Sequence, residues 1–395
     1  MLLVLSLYVE AQTLQEVINQ SIQNNYQLQI LEEESAIAGE QSEIESHWAD
    51  PILKVGINDI QLFDKPFNRD IEAMQNQFIA VSQTIPLSNK LKISSGIERE
   101  KQQIIEEKKE VLKVNIAFGI RKAFIEAKEA EKNLVILDEY IRFLQTPLNL
   151  LINLSAIEKN MIERYIQTEL MQKNYQLQRE SWLEKIAVAK ERIALIGNLN
   201  INSFSEEVIL KNYHLQSSDK LLMQLLSQSP ELRVISKLKE LSRQNIALAE
   251  AKTQADITVS TGYYQRFDRN DYVSVAVSYP LYVHGKQAQQ KVQALKRSTI
   301  QNISYERTKV QLEQGLKITL HQLKSLYAEL KILERSEIKI NRLIANAKIN
   351  ITSGGSLIYY YELFTKRVNN QLLMRKKQRE VALNENQIDQ LLGVI

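Results

Sequence analysis

Apolar residues recur along most of this chain at spacings of three and four, and in four short stretches at a spacing of two. The long periodic regions predict helices over about 90–152 and 160–197 in the first half, and about 286–350 and 357–393 in the second. At 1.5 Å per residue the longer ones reach roughly 90 Å, deeper than a globular core, so they must pack side by side as coiled coils. A shorter amphipathic helix opens each half, at about 13–47 and 219–254. Between the helices the period falls to two. Ile257, Val259, Thr261 and Tyr263 alternate with Thr258, Ser260 and Gly262; Val273, Val275, Val277 and Tyr279 alternate with Ser274, Ala276 and Ser278. In the first half Leu53, Val55 and Ile57 alternate with Lys54, Gly56 and Asn58, and Ile79, Val81 and Ile85 share a face. These predict two hairpins of strands about 8–10 residues long.

The halves superpose at a constant offset of about 196 residues, from Lys90 on Lys286 to Gly197 on Gly393. Within that stretch Ile120, Ala123, Ala127, Ala130, Leu134, Leu137, Ile141 and Leu144 keep one heptad frame. Leu316, Thr319, Leu323, Leu326, Leu330, Leu333, Glu337 and Ile340 repeat it. The halves also close alike, Leu195-Ile196-Gly197 against Leu391-Leu392-Gly393. The resulting organisation is a first repeat over 12–197 with its hairpin at about 51–86, an equatorial connector over 198–218, and a second repeat over 219–395 with its hairpin at about 256–280.

Strands of this length suit a tilted crossing of a bilayer, with lipid on the apolar face and water on the small polar one. A hairpin on a soluble core shows the same alternation, and long helices alone also suit a cytoskeletal or spectrin-like rod or a helical scaffold. Two matched hairpins flanked by helices too long for a compact domain favour the membrane. Four strands cannot close a barrel, and an open edge is not tolerated in lipid, so several copies must share one. The first hairpin has the longer loop, about 61–76 with Asp64, Pro66 and Met74, and is expected to lie outside; 265–271 forms the shorter loop.

Composition narrows the chemistry. Only 11 Gly and 6 Pro punctuate 395 residues, as long helices require. A net charge of +3 without a clustered basic surplus argues against nucleic acid as a partner. The absence of cysteine excludes disulfides, thiolate metal sites and lipoprotein acylation. Residues 1–11 resemble the end of a signal peptide. His47, His214, His284 and His321 fall on different elements without a carboxylate or serine at catalytic spacing, and no phosphate-binding loop occurs. No catalytic residue, metal site or cofactor is predicted. Tyr359-Tyr360-Tyr361 reads as packing between helices.

Several segments resemble the TolC family of outer-membrane efflux proteins over nearly the whole chain after residue 12. Thr13-Leu14-Gln15-Glu16-Val17 followed by Asn24-Asn25-Tyr26 is similar to the family's opening helix, which usually ends near Asn-Pro; Tyr26 stands for that proline, and Pro230 keeps it in the second half. Ser82-Gln83-Thr84-Ile85-Pro86-Leu87-Ser88-Asn89-Lys90 resembles the family's strand-to-helix turn, and Tyr279-Pro280-Leu281-Tyr282-Val283-His284-Gly285-Lys286 is its second copy. Proline ends the pairing there, and Gly or Asn accepts the positive φ of a sharp corner. Ser353-Gly354-Gly355-Ser356 resembles the glycine tip of a helical hairpin; the first-half tip departs from it, with Asn160 as its candidate for a left-handed turn.

The resemblance implies a mainly α protomer, a duplicated long-helix α-barrel unit contributing four strands to a trimeric twelve-stranded membrane barrel. It implies a passive, non-enzymatic exit duct in the bacterial outer membrane with its helices in the periplasm. A periplasmic adaptor and an inner-membrane pump are the implied partners, docking at the tips. Phe78-Ile-Ala-Val-Ser-Gln-Thr-Ile-Pro86 resembles the heavy-metal branch, while small molecules or proteins of type I secretion are alternative cargo.

Overall fold

The computed structural model describes residues 13–62, 66, 73–155, 160–199, 207–266, 269–352 and 356–395. Residues 1–11, which resemble the end of a signal peptide, most of the long hairpin loop and the tip residues Ser353, Gly354 and Gly355 lie outside them. The order of elements is α1 (Leu14–Asn24), α2 (Tyr26–Ile44), β1 (Ile52–Asn58), β2 (Asn76–Ile85), α3 (Lys90–Ser155), α4 (Asn160–Gly197), a short 3-10 turn (Tyr213–Leu215), α5 (Ser218–Gln228), α6 (Pro230–Ala251), β3 (Ile257–Gln265), β4 (Tyr272–Ser278), α7 (Lys286–Thr352) and α8 (Leu357–Leu392). The long and return helices end within a few residues of the positions that the periodicity predicts.

The opening helix of each half is a pair of helices, not the single helix expected. Asn25 breaks the first in an extended conformation. Its side-chain oxygen accepts from the Leu28 amide at 3.1 Å, capping α2, and its amide donates to the Ile196 carbonyl at 3.1 Å. Ser229 breaks the second at ψ 118°, because the ring of Pro230 excludes the helical conformation from the residue before it. Asn25 and Pro230 make the same corner by different chemistry. The start of α1 is a full capping box: Thr13 Oγ1 accepts from the Glu16 amide at 3.2 Å, and Glu16 accepts from the Thr13 amide at 2.8 Å.

The chain divides into two compact units, each taking segments from both halves. One comprises residues 1–29, 109–230 and 309–395; the other 30–108 and 231–308. In the first unit the predicted heptad frame is the buried seam: Ile120, Ala123, Ala127, Ala130, Leu137 and Leu144 are all inside, as are Leu316, Thr319 and Leu323. Alanines at this seam let helices approach closely. Val17, Ile18, Ile120, Phe124, Ala189 and Ile193 build one cluster, and Leu137, Tyr140, Leu144, Tyr175 and Val368 build another. Tyr140 donates or accepts a 2.5 Å bond with Thr365 Oγ1 inside the second, and burial raises its hydroxyl pKa to about 12.

The two closing glycines do different work. A side chain at Gly197 would strike Ser21 at 2.1 Å, so that glycine permits α4 to pass close to α1. Gly393 takes the left-handed conformation, φ 75°, and caps α8, with the Val394 amide bonding back to the Asp389 carbonyl at 2.9 Å. In the first half the left-handed residue is Asn198, one position later.

In the second unit, small polar residues pack the helices: Ser42 Oγ meets Ser95 Oγ at 2.9 Å, and Ser242 meets Ser298 at 3.2 Å. The two predicted hairpins merge there into one antiparallel sheet of order β1-β2-β3-β4, in which β2 and β3 pair from Gln77 with Gln265 to Ile85 with Ile257.

Candidate functional site

The sheet carries the chemistry that the molecule has to offer. Its register lays Leu53, Val81, Thr261 and Val275 in one cross-strand row, and Val55, Ile79, Tyr263 and Val273 in the next. These rows stand on one face and are largely uncovered; Val55 is 73 % exposed and Val275 70 %. Across the pleat, Ser82, Ser260 and Ala276 share a row, followed by Ala80, Gly262 and Ser274. Ser260 donates to Ser82 at 3.0 Å and Thr84 meets Thr258 at 3.0 Å, so this face is polar and self-satisfied. An exposed, largely apolar face on a sheet costs free energy in water and calls for an apolar partner. Among the described residues, β1 and β4 are paired on one side only, leaving two open edges.

On the polar face one row departs from the small residues around it. Gly56, Phe78, Tyr264 and Tyr272 lie in register across all four strands. The rings stack at 5.4 Å from Phe78 to Tyr264 and at 4.8 Å from Tyr264 to Tyr272. The Arg266 guanidinium sits 4.7 Å above the Tyr272 ring. The tyrosines alternate correctly in sequence, but only the cross-strand register reveals that the rings meet.

The strand-to-helix corners lie where the motifs place them. Pro86 follows the last residue of β2, and Lys90 is the first of α3, with its ammonium paired to Asp256. Pro280 follows β4, and Lys286 opens α7. The positive φ expected at both corners occurs only at Gly285, at 67°. Asn89 does not take it, although its carbonyl accepts the Ile93 amide at 3.1 Å as that of Gly285 accepts the Gln289 amide at 3.2 Å. At the hairpin tips, Asn160 opens α4 and Ser356 caps α8, accepting from the Tyr359 amide at 3.3 Å. Tyr360 and Tyr361 pack as predicted, 6.1 and 5.4 Å from Phe143, whereas Tyr359 is exposed.

The connector holds a network that polarity alone did not disclose. Glu385 on α8 accepts the backbone amides of Lys211 at 2.6 Å and Tyr213 at 3.3 Å. Asp389 accepts from the Tyr213 hydroxyl at 2.5 Å and from Lys211 Nζ at 2.8 Å. Tyr327 donates to Asn212 at 3.0 Å and stacks on His214 at 3.5 Å. Burial, then the bond to Asp389 and the neighbouring carboxylates, push the Tyr213 hydroxyl pKa far up; burial and Glu385 raise that of Tyr327 to about 12. A signal existed in the sequence, since Glu385 and Asp389 are four apart and share one helix face.

His47 bonds the Glu43 carbonyl at 2.6 Å, while His284 and His321 are exposed. Among the described residues no group of three or more potential ligands is placed to hold a metal ion, and no helix is long and apolar enough to cross a membrane.

No protein-family model matches the chain. No curated protein matches it either. Solved structures do, and they define a class of fold. The chain is similar over 97 % of its length to CusC, covering 92 % of that chain at 13 % identity and a TM-score of 0.78; that work describes folding and transmembrane channel formation. It is similar over 97 % to the CmeC outer-membrane channel of Campylobacter jejuni, covering 86 % of it at 14 % identity with a TM-score of 0.76. It is also similar over 96 % to the open-state MtrE outer-membrane channel of Neisseria gonorrhoeae, covering 89 % at 14 % identity and a TM-score of 0.77. The chain has the fold of these channel proteins, mainly α with one small antiparallel sheet.

Proposed function

We propose that three copies of this chain assemble in the bacterial outer membrane into a passive exit duct of a tripartite efflux system, with no catalytic step of its own. One observation carries the reading. Among the described residues, the four-stranded sheet has an apolar face without cover, a polar face with hydroxyls bonded to one another, and two open edges. In lipid both edges must be paired. Pairing β4 of one copy with β1 of the next satisfies them, and three copies give twelve strands, a number within the range of bacterial barrels. The aliphatic face then meets lipid and the polar face lines water. The channels named above, with which the chain shares its fold, support the same location.

On this reading residues 12–197 and 219–395 are two repeats joined by the connector 198–218, and α3, α4, α7 and α8 form the periplasmic part. The tips at Asn160 and at Ser353, Gly354, Gly355 and Ser356 dock a periplasmic adaptor, which connects to an inner-membrane pump. The cargo is small molecules or metal ions, and its selection rests with the pump. Pro86, Asn89, Lys90, Pro280, Gly285 and Lys286 turn the chain from barrel to helix. Extraction of membranes in mild detergent followed by amine crosslinking is expected to give a trimer. Monomers and dimers alone would overturn the assembly.

A further inference from the structure

We propose that the aromatic row of Phe78, Tyr264 and Tyr272 narrows the barrel lumen and is the level at which the barrel restricts the solutes that pass it. The proposal rests on the duct reading, which places this face toward water. On the side toward the helices, the rows of β2, β3 and β4 on the same face hold only Ser, Ala, Gly and Thr: Ser82, Ser260 and Ala276 in one, Ala80, Gly262 and Ser274 in the next. β1 adds Ile52 and Lys54 to those rows, and on the loop side Asn58 pairs with Asn76. The rings reach further from the backbone than the Ser, Ala, Gly and Thr side chains do.

Their arrangement is built rather than incidental. Tyr264 and Tyr272 are nearly parallel, 6° apart, and their 4.8 Å separation equals the spacing between strands. Rings stacked along that direction stand in line and present their edges to the space before the sheet. Two glycines make room for them. A Cβ at Gly56 would lie 2.8 Å from the Phe78 ring, and one at Gly262 would lie 2.9 Å from the Tyr264 ring. The row lies at the end of the sheet nearest the hairpin loops, since Tyr264 and Tyr272 are the last pair of β3 and β4. Arg266 over Tyr272 fixes the end of the stack and adds a cation beside it. Three copies would place nine rings around one level of the lumen.

The chain has no cysteine, which allows a direct test. The full chain is reconstituted in planar lipid bilayers and its single-channel conductance measured. Tyr272→Cys is expected to raise conductance about 1.5-fold, because it removes three of the nine rings from that level of a lumen whose width is set by the side chains that line it. Benzyl methanethiosulfonate, which puts a ring back on the new thiol, should return it to the starting value. Val273→Cys on the opposite face should respond to neither step. If Tyr272→Cys does not assemble, Phe78→Leu/Tyr272→Leu keeps apolar bulk in the sheet, shortens the reach, and carries the same expectation of a wider pore. Assembled variants that conduct like the unaltered chain, before and after the reagent, would refute the constriction. An unaltered chain that forms no channels would instead refute the duct.

Discussion

The Tyr213 hydroxyl donates a 2.5 Å hydrogen bond to Asp389 Oδ1, joining the connector to the last helix across 176 residues of chain. Lys211 reaches the same carboxylate at 2.9 and 2.8 Å, so the aspartate keeps a partner when the tyrosine is lost. Tyr213→Phe removes only the hydroxyl bond. A bond to a charged group contributes on the order of 1.5–3 kcal/mol, equivalent to opening the connector about tenfold or more often. Trypsin cleavage after Lys211 in the folded protein should accelerate by that factor. An unchanged rate would show that the backbone bonds to Glu385 hold the connector unaided.

The raised tyrosine pKa values give the connector an alkaline limit. Free tyrosine ionises near 10.0, whereas burial and Glu385 push the Tyr327 hydroxyl up to about 12, and that of Tyr213 is also raised. Below pH 10 both states are protonated and the full stability is present. As pH rises through 10, an opened connector loses its protons first, so stability declines until the folded hydroxyls ionise as well. Protease resistance at Lys211 is expected to fall between about pH 10 and 12. The fall should be shallower in Tyr213→Phe/Tyr327→Phe; an identical pH profile would assign the sensitivity to other groups.

Two left-handed glycines should respond unequally to alanine. At Gly285, φ is 67° and an added Cβ meets nothing within 4 Å, so only the backbone resists. That costs roughly 1–2 kcal/mol. At Gly393, φ is 75° and the Cβ would also lie 2.7 Å from Pro230 Cδ. The temperature at which the detergent-solubilised assembly dissociates should drop more for Gly393→Ala than for Gly285→Ala, with Gly285→Asn nearest the unaltered chain. Equal drops would mean that the Pro230 ring shifts freely.

The long helices and strands were legible because each rests on a local period. The frame of Ile120, Ala123, Ala127 and Ala130 is read from spacing alone and is the buried seam. Four features were hidden. The break at Asn25 depends on a bond to Ile196, which lies 171 residues away. The aromatic row depends on register between β2, β3 and β4, and register is a property of pairs of strands, not of one. Asn89, like Gly285, can accept the positive φ of a sharp corner, yet asparagine also serves as an ordinary helix entry, and nothing in its immediate neighbours distinguishes the two. The connector network escaped for the same reason as the aromatic row: Tyr213 meets Glu385 and Asp389 only in the folded chain.

The two faces of β4 give the sharpest test of which side meets lipid. Val275 is the middle residue of the strand and stands on the aliphatic face; Ser274 precedes it and stands on the polar face, opposite Gly262. Arginine on a lipid-facing site at mid-bilayer costs about 2–4 kcal/mol, whereas a water-lined site tolerates it. Val275→Arg should therefore lower the trimeric, membrane-inserted fraction by a factor of about 30 or more, since each 1.4 kcal/mol is tenfold. Ser274→Arg should insert normally and shift the reversal potential in a salt gradient toward anions, because three new cations would line the lumen. Blotting of unboiled outer-membrane samples reports the first outcome and bilayer recording the second. The opposite pattern, with Ser274→Arg lost from the membrane and Val275→Arg assembled and anion-selective, would mean that the sheet turns its aliphatic face inward.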